Sequence, residues 1–374
     1  MNCKLSAAIT LLACLFLTPN AALSATFVEI ARFDVSASAD ANSTSYIGNN
    51  PSAVAWDGRQ LFIAGFNSSG AQADTAITEI TNAGAAGLNV ATLSDSFGVL
   101  STPNLRGYSG LDLKDSTLAA AYDDGGADAN GIQALDASTR TQTWAKNARG
   151  GSGVAFDPGF GGADQGVAWT TFGSGRRALQ DAATGADIYG TSDGMIINTG
   201  SGSFWRDMDF DPASGDLYAR RSNGVIMSTR TGGNSVTAIT ELVPIDTGAD
   251  FVAGHMISFL SGTPDGDLLI YNDRPATQSN QPFASVVKVI DTAGAAQSAV
   301  FNLIGGGVPA DGNGYYDFDY DPTTRTLAIA DFANRNVHIF GVVPEPTAAV
   351  LLVAAFATGA TQRTRRVGLP VRSA

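Results

Sequence analysis

The chain has 374 residues, of which 44% are hydrophobic and only 15% charged, with 43 glycines and a formal net charge of −13. Charge that sparse, against the roughly 25% of an average soluble domain, with abundant Gly, Ala, Ser, Thr, Asn and Asp, favours strands and turns and argues against surface helices. Five of the 22 basic residues and one of the 35 acidic ones lie in the two ends, which leaves 17 and 34 in the body, net −17. Such a body repels phosphate backbones, which excludes nucleic acid as a partner, and attracts cations or basic partners.

Residues 1–25 read as a secretory signal peptide: one positive charge at Lys4, an apolar stretch from Ala7 to Leu17, then Thr18-Pro19-Asn20 and small residues through Ala25. Cleavage after Ser24 puts Ala22 and Ser24 at the two small-residue positions, and cleavage after Ala25 is nearly as good. Leu11-Leu12-Ala13-Cys14 loosely matches a lipoprotein box, but Leu12 is bulky where a small residue is usual. Cys3 and Cys14 are the only cysteines, so the body has no thiol for a disulfide, a cysteine zinc site or a cysteine nucleophile.

From 26 to 343 the apolar positions come in short alternating runs divided by Gly, Asn, Asp and Ser, the pattern of strands and turns. A unit recurs: a Gly- or Ser-rich entry, a strand ending in an acid, a short turn and a second apolar strand. Ser52 to Asp57 precedes Leu61 to Ala64, Ser109 to Asp115 precedes Leu118 to Tyr122, and Gly153 to Pro158 precedes Gly166 to Thr170. The series continues with Asp207 to Pro212, Met256 to Phe259 and Tyr316 to Pro322, each followed by its own second strand. Starts near 52, 109, 153, 207, 256 and 316 give a period near fifty, suited to one four-stranded propeller blade. Thr75 to Ile80 with Leu88 to Leu93, and Gly131 to Leu135 with Thr141 to Trp144, supply outer strands.

The expected fold is therefore all-β, a β-propeller of six four-stranded blades. After the sixth unit only Asn336 to Val342 remains as a strand, so Thr26 to Val35 is predicted to complete the last blade and close the ring. The acid ending each first strand, often followed by Pro, is turn chemistry: Asp caps the turn and Pro presets the next φ. In that short stretch the units resemble the Asp-Pro-containing blades of YVTN and NHL-like propellers.

Candidate chemistry is sparse, and no catalytic residue is assigned. His255 stands at the entry to a first strand, where propellers line their channel, and His338 lies within a strand of the last blade. No Gly-x-Ser-x-Gly elbow is present. The loops bearing Asp124, Asp128 and Asn130, and Asp311 and Asn313, offer clustered oxygen ligands among glycines, which suits calcium, though neither has the spacing of an EF-hand loop. Arg106, Arg149, Arg206 and Arg274, near Tyr108, Trp205 and Tyr271, either form a rim for anionic sugars or pair with the many aspartates.

At the C-terminus Pro344-Glu345-Pro346 precedes an apolar segment from Thr347 to Thr361 and the arginines Arg363, Arg365 and Arg366. Fifteen helical residues rise about 22 Å, short of a ~30 Å hydrocarbon core unless flanking residues help. The arginines should stay cytoplasmic, leaving the body outside, in agreement with the N-terminal signal. This tail, residues 344–374, resembles the PEP-CTERM sorting signal of bacterial exported proteins. The resemblance implies that Pro344, Glu345 and Pro346 are read by an exosortase-type membrane transpeptidase. It also implies that the apolar helix holds the protein in the membrane, with the basic cluster as the stop, until processing releases it to the envelope or matrix. The family usually stops soon after its arginines, whereas Val367 to Ala374 continue here. The expected function is a non-enzymatic envelope or extracellular-matrix protein whose propeller binds a glycan, a protein or a cation. The alternative is an extracellular hydrolase or lactonase using acids in the central channel.

Overall fold

The computed structural model describes residues 25–35, 47, 50–66, 75–80, 97–100, 107–123, 130–147, 153–170, 175–197, 205–221, 224–244, 256–273, 286–303, 315–332 and 334–343. These form the six blades of a propeller, antiparallel within each blade apart from one parallel strand added to blade 6, with blades 1 and 2 joined through Phe66 and Gly107, and every regular element among them is a strand. The innermost strands of blades 1 to 6 are Asn50–Trp56, Gly107–Lys114, Val154–Asp157, Trp205–Phe210, Ile257–Thr263 and Tyr315–Asp321. They fall within two residues of the starts that the repeat predicts. In blades 1 to 5 successive strands step outward in chain order.

Ring closure is as the N-terminal pattern predicts. Ala25–Asp34 pairs antiparallel with Asn336–Val343 and becomes the fourth strand of blade 6, outside Tyr315–Asp321 and Thr326–Asp331. Its alternating burial puts Phe27, Ala31 and Phe33 in the core. The repeat did not foretell the fifth strand, Ala299–Asn302, which leaves the end of blade 5 and pairs parallel with Ala25–Asp34, covering an edge that would otherwise be open. In blade 1 the fourth strand is Phe97–Leu100; the expected strand Leu88 to Leu93 lies outside the described residues.

A single central core is absent among the described residues. Six hydrophobic clusters lie there instead, one in each inter-blade joint. This follows from period-2 strands: alternate side chains of every blade face opposite neighbours, so each blade is buried on both faces only when the ring is complete. Alanines at 53, 55, 119, 120, 121 and 168 are fully or nearly fully buried, which lets the sheets approach closely near the axis.

The turn acids behave as their sequence implies. Asp57 accepts hydrogen bonds from the Arg59 and Gln60 amides at 2.8 and 2.6 Å, Asp211 from the Ala213 amide, and Asp321 from the Thr323 and Thr324 amides. Gly58, with φ of +83°, abuts the Asp321 carboxylate, and a Cβ there would lie 2.2 Å from its Oδ2. Blade 1 can therefore meet blade 6 at this turn only through a glycine.

The predicted signal peptide lies outside the described residues except for Ala25, which begins the first strand. Pro344, Glu345, Pro346, the apolar segment 347–361 and Arg363, Arg365 and Arg366 also lie outside them. Among the described residues no helix is long and apolar enough to cross a membrane.

Candidate functional site

The repeat places equivalent residues of all six inner strands at the same height in the channel. In blades 1, 2, 4 and 6 a register shift sits at the same point of that strand, before Ala53, Gly110, Asp207 and Asp317. The chain then alternates between the next blade and the preceding one. The even-numbered blades carry acids at the positions facing forward: Asp112 in blade 2, Asp207 and Asp209 in blade 4, Asp317 and Asp319 in blade 6. The odd-numbered blades carry mostly small residues there, including Ala53, Ala55, Gly153 and Ala155. A Cβ on Gly153 would fall 2.2 Å from Asp207 Oδ1, so the glycine makes room for the carboxylate.

Each acid clasps the next blade. The Val54 and Trp56 amides donate to Asp317 and Asp319 at 2.8 and 2.5 Å, and the Phe156 amide donates to Asp112 at 2.5 Å. The Ile257 and Phe259 amides donate to Asp207 and Asp209 at 2.9 and 2.6 Å. Three of the six joints, 6/1, 2/3 and 4/5, are thereby tied through the backbone. The five acids surround a waist of about 30 Å³, room for roughly one water.

Above the waist the channel widens into a funnel of about 320 Å³. Its wall takes one residue from each blade: Trp56, Leu113, Phe156, Phe210, Phe259 and Tyr320. Each wedges into an inter-blade cluster and shows its remaining surface to the funnel. The floor is the half-buried carboxylates of Asp112, Asp209 and Asp319; Asp207 and Asp317 lie buried below.

Burial raises the pKa of all five acids above the ordinary carboxylate range, against the opposing pull of the backbone amides, with Asp112 reaching about 6 and Asp209 about 7. Between about pH 4 and pH 7 the folded chain therefore holds more protons than the unfolded one, and stability falls as pH rises through that window. His338 acts in the same direction. Burial would lower its pKa, but Asp331 and Glu29 outweigh burial and raise it, so its contribution is full below the unfolded value and lost as pH rises through the folded one. The expected result is a thermal midpoint higher at pH 4.5 than at pH 8, with a difference on the order of 2 kcal/mol once solvent in the funnel is allowed to screen the floor. Calorimetry across that range checks it, and a higher midpoint at pH 8 would refute it.

Few of the other candidates fall among the described residues. Asp124, Asp128, Asp311 and Asn313 lie outside the described residues, as do His255, Arg106, Arg149 and Arg274. Asn130 stands directly before the strand Gly131–Asp136. Arg206 is buried, and Tyr108, Trp205 and Tyr271 are core residues, so they form no rim for an anionic sugar. His338 is a strand joint: its Nδ1 lies 2.6 Å from Glu29 Oε1, and Glu29 also takes two hydrogen bonds from Arg32. Among the described residues no group of three or more His, Cys, Asp or Glu side chains is arranged to hold a metal ion.

In the sequence these channel acids stand as letters of the repeat, with no mark that singles them out. Of the three floor acids, Asp209 and Asp319 share one signal, each standing two residues before a turn acid followed by Pro.

No protein-family model matches the chain, and no curated protein matches it. Among solved structures 786 chains match, a breadth that leaves fold alone unable to select a function. One is an auxiliary nutrient binding protein from Bacteroides thetaiotaomicron, 13% identical, covering 78% of this chain and 69% of that one with a TM-score of 0.55. Another is an auxiliary nutrient binding protein from Bacteroides ovatus, 14% identical, covering 77% and 67% with a TM-score of 0.50. At such identities the likeness lies in the architecture, and the chain is a six-bladed β-propeller.

Proposed function

We propose that this protein is an exported, non-enzymatic binding protein of the cell envelope or extracellular matrix, whose funnel holds a small ligand or the tip of a glycan or protein. The funnel carries the reading. Its volume lies within the range of small-molecule sites, its wall is mostly apolar, and a few polar groups converge at its floor. The names of the two nutrient binding proteins that share the fold support a binding role. Export and envelope location rest on the N-terminal signal and the PEP-CTERM-like tail. An exosortase-type transpeptidase is the partner at Pro344, Glu345 and Pro346, and the 347–361 segment holds the chain in the membrane before processing.

Two measurements test this. Glu345→Ala should leave the chain in the membrane fraction of a host with an exosortase, and unaltered release would overturn the sorting claim. Leu113→Trp, a half-buried wall position, should fill the funnel and abolish ligand-dependent thermal shifts in a screen of sugars, peptides and amines. Shifts that persist in that variant would place binding elsewhere.

The hydrolase or lactonase reading is favoured by the convergence of five aspartates on one channel. Against it, each of those carboxylates already holds a backbone amide of the next blade, and the waist admits about one water. Hydrolysis of a glycoside or lactone that Asp209→Asn removes would restore it.

A further inference from the structure

We infer that the funnel takes an organic cation, an ammonium group carried on an apolar or aromatic body. This deepens the binding reading above and rests on it.

Five of the six blades contribute an aromatic ring to the wall, Trp56, Phe156, Phe210, Phe259 and Tyr320, and the sixth contributes Leu113. Such an enclosure accepts the apolar body of a ligand by the hydrophobic effect, while the carboxylates at its floor attract a positive group. The charged residues lining the funnel are five acids, with Asp57 and Asp321 joining the three floor aspartates, and one base, Lys114. An anionic ligand would be repelled, and the net charge of −17 on the body extends the same bias outward.

The floor carboxylates can still accept from a ligand. Asp112, Asp209 and Asp319 each take an amide of the following residue and an amide of the next blade. A carboxyl group keeps acceptor capacity beyond those two amides, and an ammonium seated against it favours its ionised form over the protonated form that burial favours. Their charge is spread around a ring and, with no metal-holding geometry among the described residues, suits a broad cation over a compact metal ion.

The test is calorimetric titration of the full chain in detergent with benzylammonium chloride, with benzyl alcohol as its neutral isostere and with glucose. Benzylammonium should bind, and benzyl alcohol should bind about tenfold more weakly or worse, a difference of roughly 1.4 kcal/mol. Asp209→Asn and Asp319→Asn keep an acceptor oxygen for the next blade's amide while removing the charge. Each should weaken benzylammonium severalfold with an unchanged circular dichroism spectrum, and Leu113→Trp should abolish binding. The comparison of the two isosteres needs no variant, so the inference stays testable if the Asn variants fold poorly. Benzyl alcohol or glucose binding as tightly as benzylammonium, and blocked by Leu113→Trp, would overturn the cation and leave the funnel as the site. Absence of any binding that Leu113→Trp removes would overturn both.

Discussion

A chain that begins at residue 40 is expected to lose cooperative thermal unfolding and to expose hydrophobic surface at room temperature. The missing strand, Ala25–Asp34, makes eight residue pairs with Asn336–Val343 and four with Ala299–Asn302, so one strand loses its outer neighbour and the other the sheet it pairs with. Its inward side chains serve two joints: Ala25 and Phe27 pack in the cluster between blades 5 and 6, and Ala31 and Phe33 in that between blades 6 and 1. Phe27 stacks on Phe301 at 4.5 Å, and Phe27 and Phe33 are fully buried. Each phenylalanine removed from a core costs about 3–5 kcal/mol. The two together approach the ~5–15 kcal/mol that a whole domain has to lose. Glu29 goes too, leaving His338 beside Asp331 without its second carboxylate. Scanning calorimetry and dye binding check the outcome, and a truncated chain melting within a few degrees of the complete one would show that the ring does not need this strand.

Asp157→Ala should be the most damaging single substitution among the turn acids, by about 3–5 kcal/mol. Asp157 occupies the same place as Asp211 and Asp321, and its Oδ1 accepts from the Gly159 amide at 2.8 Å. It differs in being wholly buried between Arg230, at 2.5 Å, and Arg177, at 3.0 Å, both of whose side chains are also inaccessible. Removing the carboxylate strands two guanidinium groups out of water in the joint between blades 3 and 4. Arg177 already has its pKa lowered to about 10, burial opposing the charge while Asp157 supports it. Asp211→Ala, at a solvated turn, should cost about 1 kcal/mol by comparison. Replacing Arg230 by Met in the Asp157→Ala background should recover part of the loss, since one stranded charge is then gone. Chemical denaturation of the three variants measures this, and equal losses for Asp157→Ala and Asp211→Ala would refute the role of the buried pair.

The local features of this protein were legible because local forces create them. Alternation of apolar residues marks a strand within five or six positions, an Asp followed by Pro marks a turn within three, and the recurrence of that unit near every fifty residues marks blades. Even ring closure could be read, since Phe27, Ala31 and Phe33 alternate in a strand left over at one end while a strand was missing at the other. The fifth strand of blade 6 could not. Ala299–Asn302 has ordinary strand composition, and nothing local says that it leaves its own blade to pair in parallel with a partner some 270 residues earlier.

By itself, then, the amino-acid sequence determined the fold class, the blade count and the role of the turn aspartates, all written in short patterns. The tertiary structure alone decided the site. Asp112, Asp209 and Asp319 share one floor, and Trp56, Phe156, Phe210, Phe259 and Tyr320 share one wall, only because closing the ring carries residues from six blades onto a common axis. It also turned Tyr108, Trp205 and Tyr271 inward, away from any rim. Strand alternation tells which residues lie on the same side of one blade, but which sides face each other across the channel depends on the number of blades and the register between them.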